Sequence, residues 1–181
     1  MPLLTEIIGC LTALSTSLLL WSGNLGGLFP AEEAITTNFE NYQSTTSASV
    51  IRVIDGDTID VLIEGGSEPV RVRYIGIDTP EPYTTSVPEC GSESASKRNT
   101  QLVASTTILL VPGLQTYDTY NRLLAYVYVG DLFINEVLVA EGWSDIMMIP
   151  PNTKYQDSFT ELRNTARRQG WGMWQGCTDV H

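Results

Sequence analysis

VIRVIDGDTIDVLIEGGSEPVRVRYIGIDTPE, residues 50–81, is the stretch that decides the fold. Ile51 and Val53 alternate with polar neighbours, a DGDT turn follows at Asp55 to Thr58, and Ile59, Val61 and Ile63 share one strand face against Asp60 and Glu64. Gly65 and Gly66 supply a hairpin turn. Val70, Val72 and Tyr74 then alternate with Arg71 and Arg73 in a third strand expected to continue through Ile75 and Ile77. An apolar residue at every second position marks a strand with one buried face, and three such strands joined by tight turns form a meander.

Downstream, Gly91 and Ser92 punctuate the chain, and Ser92 is the expected N-cap of a helix from about Glu93 to Ser105 with Leu102 and Val103 turned inward. Strands are predicted at Ile108 to Val111 and at Leu123 to Val129. Ile134 to Gly142 has helical spacing, ended by Gly142, and a last helix runs from about Tyr155 to Gln169, with Phe159, Leu162 and Ala166 on one stripe and Gly170 as its stop. The expected class is mainly β with α (α+β): a five-stranded OB-fold β-barrel with about three helices.

Upstream, residues 1–30 carry no charge between Ile7 and Phe29 and read as an export signal peptide or a membrane anchor. A basic leader is absent, Ser and Thr interrupt the apolar block, and a plain N-terminal helix is the alternative. Ile7 to Cys10 looks like a lipoprotein-processing box set too near Met1, and Ala31 and Ala34 offer small residues for cleavage. Residues 31–49, polar and rich in Ser and Thr, read as a flexible linker; residues 50–177 are the folded domain and 178–181 a tail.

The 181 residues carry 10 basic and 21 acidic side chains, a formal charge of −11. Four acidic and no basic residues precede residue 48, which leaves ten basic against seventeen acidic residues in the remainder. A broad basic face for nucleic acid is therefore excluded, because counterion release needs clustered Lys and Arg, and any phosphate chemistry must be local. Cys10, Cys90 and Cys177 are too scattered for a zinc array. In an exported chain Cys90 and Cys177 are the disulfide candidates, with two buried thiols as the alternative. The single histidine, His181, nearly excludes mechanisms built on a His base.

DGDT (Asp55 to Thr58), Arg73, DTPE (Asp78 to Glu81) and, later, TYNRLLAY (Thr119 to Tyr126) with Arg122 fall in that order along the chain. DGDT or DTPE alone is ordinary turn chemistry. Together, with Arg73 five residues before Asp78 and Glu81 three after it, the set resembles the staphylococcal nuclease (thermonuclease) family over about residues 50 to 174. That resemblance implies calcium (Ca2+) as cofactor, bound by Asp57, Asp78 and the backbone carbonyl of Thr79, a role suited to a hard cation that wants oxygen ligands. It implies Glu81 as general base and Arg73 and Arg122 as the guanidinium groups that grip the phosphate. Asp55 is expected to shape the turn or to support the site from behind the metal-binding residues.

The implied activity is a calcium-dependent endonuclease that hydrolyses DNA and RNA, single strands preferentially, with little sequence selectivity, and leaves 3′-phosphate ends. The implied setting is a secreted or membrane-anchored enzyme with an extracytoplasmic catalytic domain, monomeric by default. The acidic body predicts weak substrate capture and strong salt sensitivity. Two departures stand out. The family's nucleotide-stacking tyrosines are missing from DIMMIPPN, Asp145 to Asn152, and Thr119 replaces a usual lysine. Tyr120 and Tyr117 are the candidate substitutes for substrate binding. Met147 and Met148 are expected to fill core space, and Trp171 and Trp174 to seal the last helix. Two rival functions are a noncatalytic OB-fold module that binds single-stranded nucleic acid or protein, and a surface domain that uses calcium only for stability.

Overall fold

The alternation in residues 59–63 builds a strand whose inward side chains, Ile59, Val61 and Ile63, are all buried. The computed structural model describes residues 44–82 and 87–177; the expected signal or anchor, the linker up to residue 43 and the tail lie outside the described residues. Strands β1 (Thr46–Val53), β2 (Thr58–Ile63) and β3 (Pro69–Tyr74) form the expected antiparallel meander. Helix α1 (Ser92–Val103) follows β4 (Gly76–Asp78), and β5 (Thr107–Tyr117) and β6 (Leu123–Val129) pair with each other. After β7 (Leu132–Phe133) come α2 (Ile134–Ala140), β8 (Asp145–Met147) and α3 (Gln156–Gln169).

The main sheet runs β3-β2-β1-β5-β6-β7, and a further pairing of β3 with β6 closes its first five strands into an OB-type barrel. That seam is parallel, with Val72 opposite Leu123, Arg73 opposite Leu124 and Tyr74 opposite Ala125. The core inside the barrel combines Ile59, Val61, Val72, Ile108, Leu110, Leu123 and Val127 with Leu138 and Phe159 from α2 and α3. Tyr126, Phe133, Tyr155 and Phe159 interlock at centroid separations of 4.9–5.7 Å and fasten α3 to β6. Among the described residues no helix is long and apolar enough to cross a membrane.

Several boundaries move. The first strand begins at Thr46, inside the expected linker, with Ala48 buried between Ile63 and Ile108. Its Ser and Thr residues hid the alternation. The third strand stops at Tyr74, and Gly76, at φ 82°, redirects the chain into β4, which pairs with β8 instead of the barrel. Residues 145–147, given no element from the sequence, are therefore a strand. Ser92 is the first residue of α1, and Gly91, at φ 88°, occupies the cap position. Met148 packs on the core as expected, whereas Met147 is exposed. Trp171 is likewise half exposed, while Trp174 lies beneath the Arg167 guanidinium, 5.1 Å from its ring centroid.

Cys90 and Cys177 form a disulfide that joins the loop before α1 to the end of the described chain across 87 residues. Nearby, a β-carbon on Gly142 would stand 2.4 Å from the Trp171 carbonyl oxygen, so only glycine lets the two backbones cross there.

Candidate active site

Four segments meet at one end of the barrel: the β1–β2 turn, the outer side of β3, the loop after β4, and the β5–β6 turn. In the first, the Asp57 peptide N–H donates to Asp55 Oδ1 (3.0 Å), and the Asp55 carbonyl accepts from Asn99 Nδ2 (2.9 Å). The hydroxyl of Tyr74, inside the barrel, donates to Asn99 Oδ1 (3.0 Å), so the turn is tied to both α1 and β3. Asp55 thus shapes the turn.

Asp57 is completely buried, and its carboxylate ties the DTPE loop and Arg73 to the turn. Oδ2 accepts from the Thr79 peptide N–H (2.7 Å) and hydroxyl (2.8 Å), while Oδ1 accepts from the Thr58 hydroxyl (3.1 Å) and pairs with Arg73 Nη1. Arg73 Nη2 donates to Asp78 Oδ1 (2.7 Å) and to the Ile77 carbonyl (3.1 Å). One guanidinium therefore spans the two aspartates, which are 21 residues apart in sequence. Asp78 is held from behind by the buried Ser144, whose hydroxyl accepts from the Asp78 N–H (3.0 Å) and lies 3.0 Å from its carbonyl.

Glu81 sits on a loop clasped by Glu89: the Glu81 N–H donates to Glu89 Oε2 (2.8 Å), and the Glu89 N–H to the Glu81 carbonyl (3.0 Å). Burial, then the charges of Asp55, Asp78 and Glu89, push the Glu81 carboxyl above its usual range, against the opposing pull of Arg73. A raised value brings a carboxylate closer to what a general base requires. Asp55 is also raised, by burial, which outweighs Arg73, Thr58 and Arg122.

On the β5–β6 turn, Asp118 Oδ2 accepts from Arg122 Nε (2.6 Å), and Oδ1 accepts the peptide N–H groups of Tyr120 and Arg122 (2.9 Å each). Burial works against charge on Asp118, but these bonds outweigh it and hold the carboxyl below its usual value. Asn121, at φ 61°, makes the turn. Arg73, Asp78, Glu81, Asp118 and Arg122 line one cleft of about 370 Å³, walled on its apolar side by Leu124, Met147 and Ile149. Closure of the barrel causes the convergence, because Leu124, opposite Arg73, follows Arg122 by two residues.

Neither of the two candidate tyrosines lines the cleft: Tyr120 is 80% exposed, with its ring centroid 5.4 Å from the Arg122 guanidinium carbon, and Tyr117 packs on the barrel core. Among the described residues no three His, Cys, Asp or Glu side chains cluster as a metal cage. The donor chemistry nonetheless fits a hard divalent cation. Asp57 and Asp78 pair with one buried guanidinium, Asp55 and Glu81 feel its charge, and burial raises the carboxyls of Asp55 and Glu81 in spite of it, so the site gathers more oxygen donors than one arginine answers.

Asn99, Ser144 and Asp118 were not singled out from sequence. Asn99 and Ser144 act across 44 and 66 residues, a range that local patterns do not reach. Asp118 had a readable signal: a carboxylate four residues before an arginine, across a turn containing Asn121.

A family model described as staphylococcal nuclease homologue matches residues 71–176, which include Arg73, Asp78, Thr79, Glu81 and Arg122. Endonuclease YncB of Bacillus subtilis (strain 168) is 36% identical over 146 residues, covering 79% of this chain and 68% of that protein. A thermonuclease of Staphylococcus intermedius is 35% identical over 127 residues, 70% of this chain and 74% of its own length. The SPbeta prophage-derived endonuclease YokF of Bacillus subtilis (strain 168) is 40% identical over 126 residues, 68% of this chain and 42% of YokF. With its closed five-stranded barrel and the matched stretch running through the cleft, the chain belongs to the staphylococcal nuclease homologue family.

Proposed function

We propose that this chain is a calcium-dependent endonuclease that hydrolyses phosphodiester bonds of DNA and RNA, preferring single strands and leaving 3′-phosphate ends. The observation that carries the reading is the convergence of Arg73, Asp78, Glu81 and Arg122 on one cleft, with Asp57 bonded to Arg73 behind it. Asp57, Asp78 and the Thr79 carbonyl would hold the cation, which when bound supplies Lewis-acid polarisation of a phosphoryl oxygen. Glu81 orients and deprotonates the attacking water. Arg73 and Arg122 present planar donor forks to the phosphate and stabilise the charge that grows as the bond to the 5′ oxygen breaks. The Cys90–Cys177 disulfide supports an oxidising, extracytoplasmic setting for the catalytic domain, as a secreted or anchored enzyme.

The test is incubation of the full chain with denatured DNA, in calcium or in chelator, beside Glu81→Gln and Arg122→Ala. The expected result is calcium-dependent cleavage reduced by about 10²-fold or more in Glu81→Gln and at least as far in Arg122→Ala. Chelator-resistant cleavage, or full activity in both variants, overturns the mechanism. Calcium-dependent melting without turnover would favour the stabilised surface domain instead.

A further inference from the structure

On the outer face of the meander, Arg52 and Arg71 are joined through Asp60. Asp60 pairs with Arg71 on one side and with Arg52 on the other, and the pair at the cleft end of the β2–β3 ladder is Thr58 with Arg73. Outward side chains recur at every second residue, so Arg71 and Arg73 share a face about 7 Å apart. That is the scale of one to two steps of a nucleic-acid strand, whose stacked rise is about 3.4 Å. Exposure grades along this line: the side chain of Arg73 is 10% exposed, Arg71 47% and Arg52 63%. The row therefore leads out of the cleft onto open surface. Asp55, at the cleft, also acts electrostatically on Arg71.

Asp60 fixes both guanidinium groups. Its Oδ1 accepts from Arg71 Nε (2.8 Å), and its Oδ2 accepts from Arg71 Nη2 (3.1 Å) and Arg52 Nη2 (2.7 Å). Two cations on one carboxylate leave a surplus positive charge, in a region of the chain where acidic residues outnumber basic ones by seventeen to ten. One arginine would satisfy Asp60, and an exposed ion pair adds only about 0–1 kcal/mol, so stability is a poor account of the second. The N–H groups that Asp60 does not engage, Nη1 of Arg71 with Nε and Nη1 of Arg52, remain to meet an anion.

We propose that Arg52 and Arg71, positioned by Asp60, form a second phosphate-binding station outside the cleft that holds the backbone of the single strand whose scissile phosphate lies at Arg73. The proposal rests on the nuclease reading above and adds a site to it. It identifies where an acidic protein concentrates the local charge needed to capture a long substrate.

The test is fluorescence anisotropy with labelled oligothymidylates, a dinucleotide and a dodecamer, on the full chain carrying Glu81→Gln, between about 50 and 200 mM salt. Adding Arg52→Gln with Arg71→Gln, which keeps amide donors for Asp60, is expected to weaken dodecamer binding several-fold. The slope of log affinity against log salt should shrink by about 0.7 for each phosphate that the protein no longer neutralises. Equal weakening on dinucleotide and dodecamer, or an unchanged slope, overturns the station. If the parent chain cleaves DNA while the arginine substitutions leave dodecamer binding intact, only the station fails; no cleavage and no binding at all sinks the nuclease reading with it.

Discussion

Thr79 occupies the space above Gly56 so closely that a β-carbon on that glycine would stand 2.6 Å from the Thr79 Cβ. This close approach lets the DTPE loop sit down on the DGDT turn, which in turn lets Asp57 take both Thr79 donors. Gly56→Ala should therefore act as overpacking, costing about 1–3 kcal/mol of stability. It should also cost activity beyond what its melting temperature explains, because lifting Thr79 moves Asp78 and the Thr79 carbonyl together. Thermal melts beside steady-state hydrolysis at a temperature where the variant is folded check this; normal turnover in a folded variant would contradict it.

Asp118 holds the Arg122 peptide N–H and Nε as well as the Tyr120 N–H, so it is a positioning residue for that guanidinium. Asp118→Asn should lower kcat about tenfold, a loss of roughly 1.4 kcal/mol of transition-state stabilisation, with a smaller change in KM. In an Arg122→Ala background the same substitution should add little, since residues acting as one unit are non-additive. A double-mutant cycle in kcat checks the coupling, and additive losses would show that Asp118 acts elsewhere.

The Cys90–Cys177 bridge closes a loop of 87 residues that contains β5, β6 and all three helices. Restriction of the unfolded chain should make it worth about 2–4 kcal/mol. Cys90→Ala with Cys177→Ala should lower the denaturation midpoint accordingly, with hydrolysis at low temperature largely retained. Urea titrations of wild type, with and without reductant, beside the double variant measure it. Coincident curves would mean that the bridge adds nothing.

Asp60 supplies a pH test with a definite sign. Hydrogen bonds from Arg71, and then Arg52, hold its carboxyl below the ordinary 3.8 despite partial burial. A carboxyl depressed on folding contributes stability above its unfolded value, and that contribution is lost as pH falls through the folded value. Removing both arginines takes this contribution away, so the variant should be less stable than wild type above about pH 4 and converge on it in stronger acid. Urea midpoints measured across that range check the sign.

The barrel was legible because Ile59, Val61, Ile63, Val72, Leu123 and Val127 write their alternation directly into the chain, and the three helices carry one-sided apolar stripes. Ala48 did not read as a strand residue, since a small side chain among Ser and Thr gives no contrast, and its burial comes from Ile63 and Ile108 on neighbouring strands. The break at Gly76 left only a small trace, the switch of apolar residues from even positions at Val70, Val72 and Tyr74 to odd ones at Ile75 and Ile77, and only a partner in β8 decides where they go. In the candidate site, Arg73, Asp78, Glu81 and Arg122 were visible as motifs. Those that hold them in place, Asn99 and Ser144, act through tertiary hydrogen bonds with no sequence period.

Met147 and Ile149 line the cleft where nucleotide-stacking tyrosines were sought, and Ile149 is exposed on its rim. An aliphatic wall offers a base only apolar contact, whereas an aromatic face adds stacking worth about 1–3 kcal/mol per base. Ile149→Tyr should therefore tighten binding of an oligothymidylate by about fivefold or more, equivalent to roughly 1 kcal/mol. The gain should persist at high salt, because stacking, unlike phosphate binding, releases no counterions. Anisotropy in the Glu81→Gln background, at low and high salt, separates the two contributions. A gain that vanishes with added salt would mean that the new ring acts through Arg122 and not on the base, and no gain at all would place the bases on another wall of the cleft.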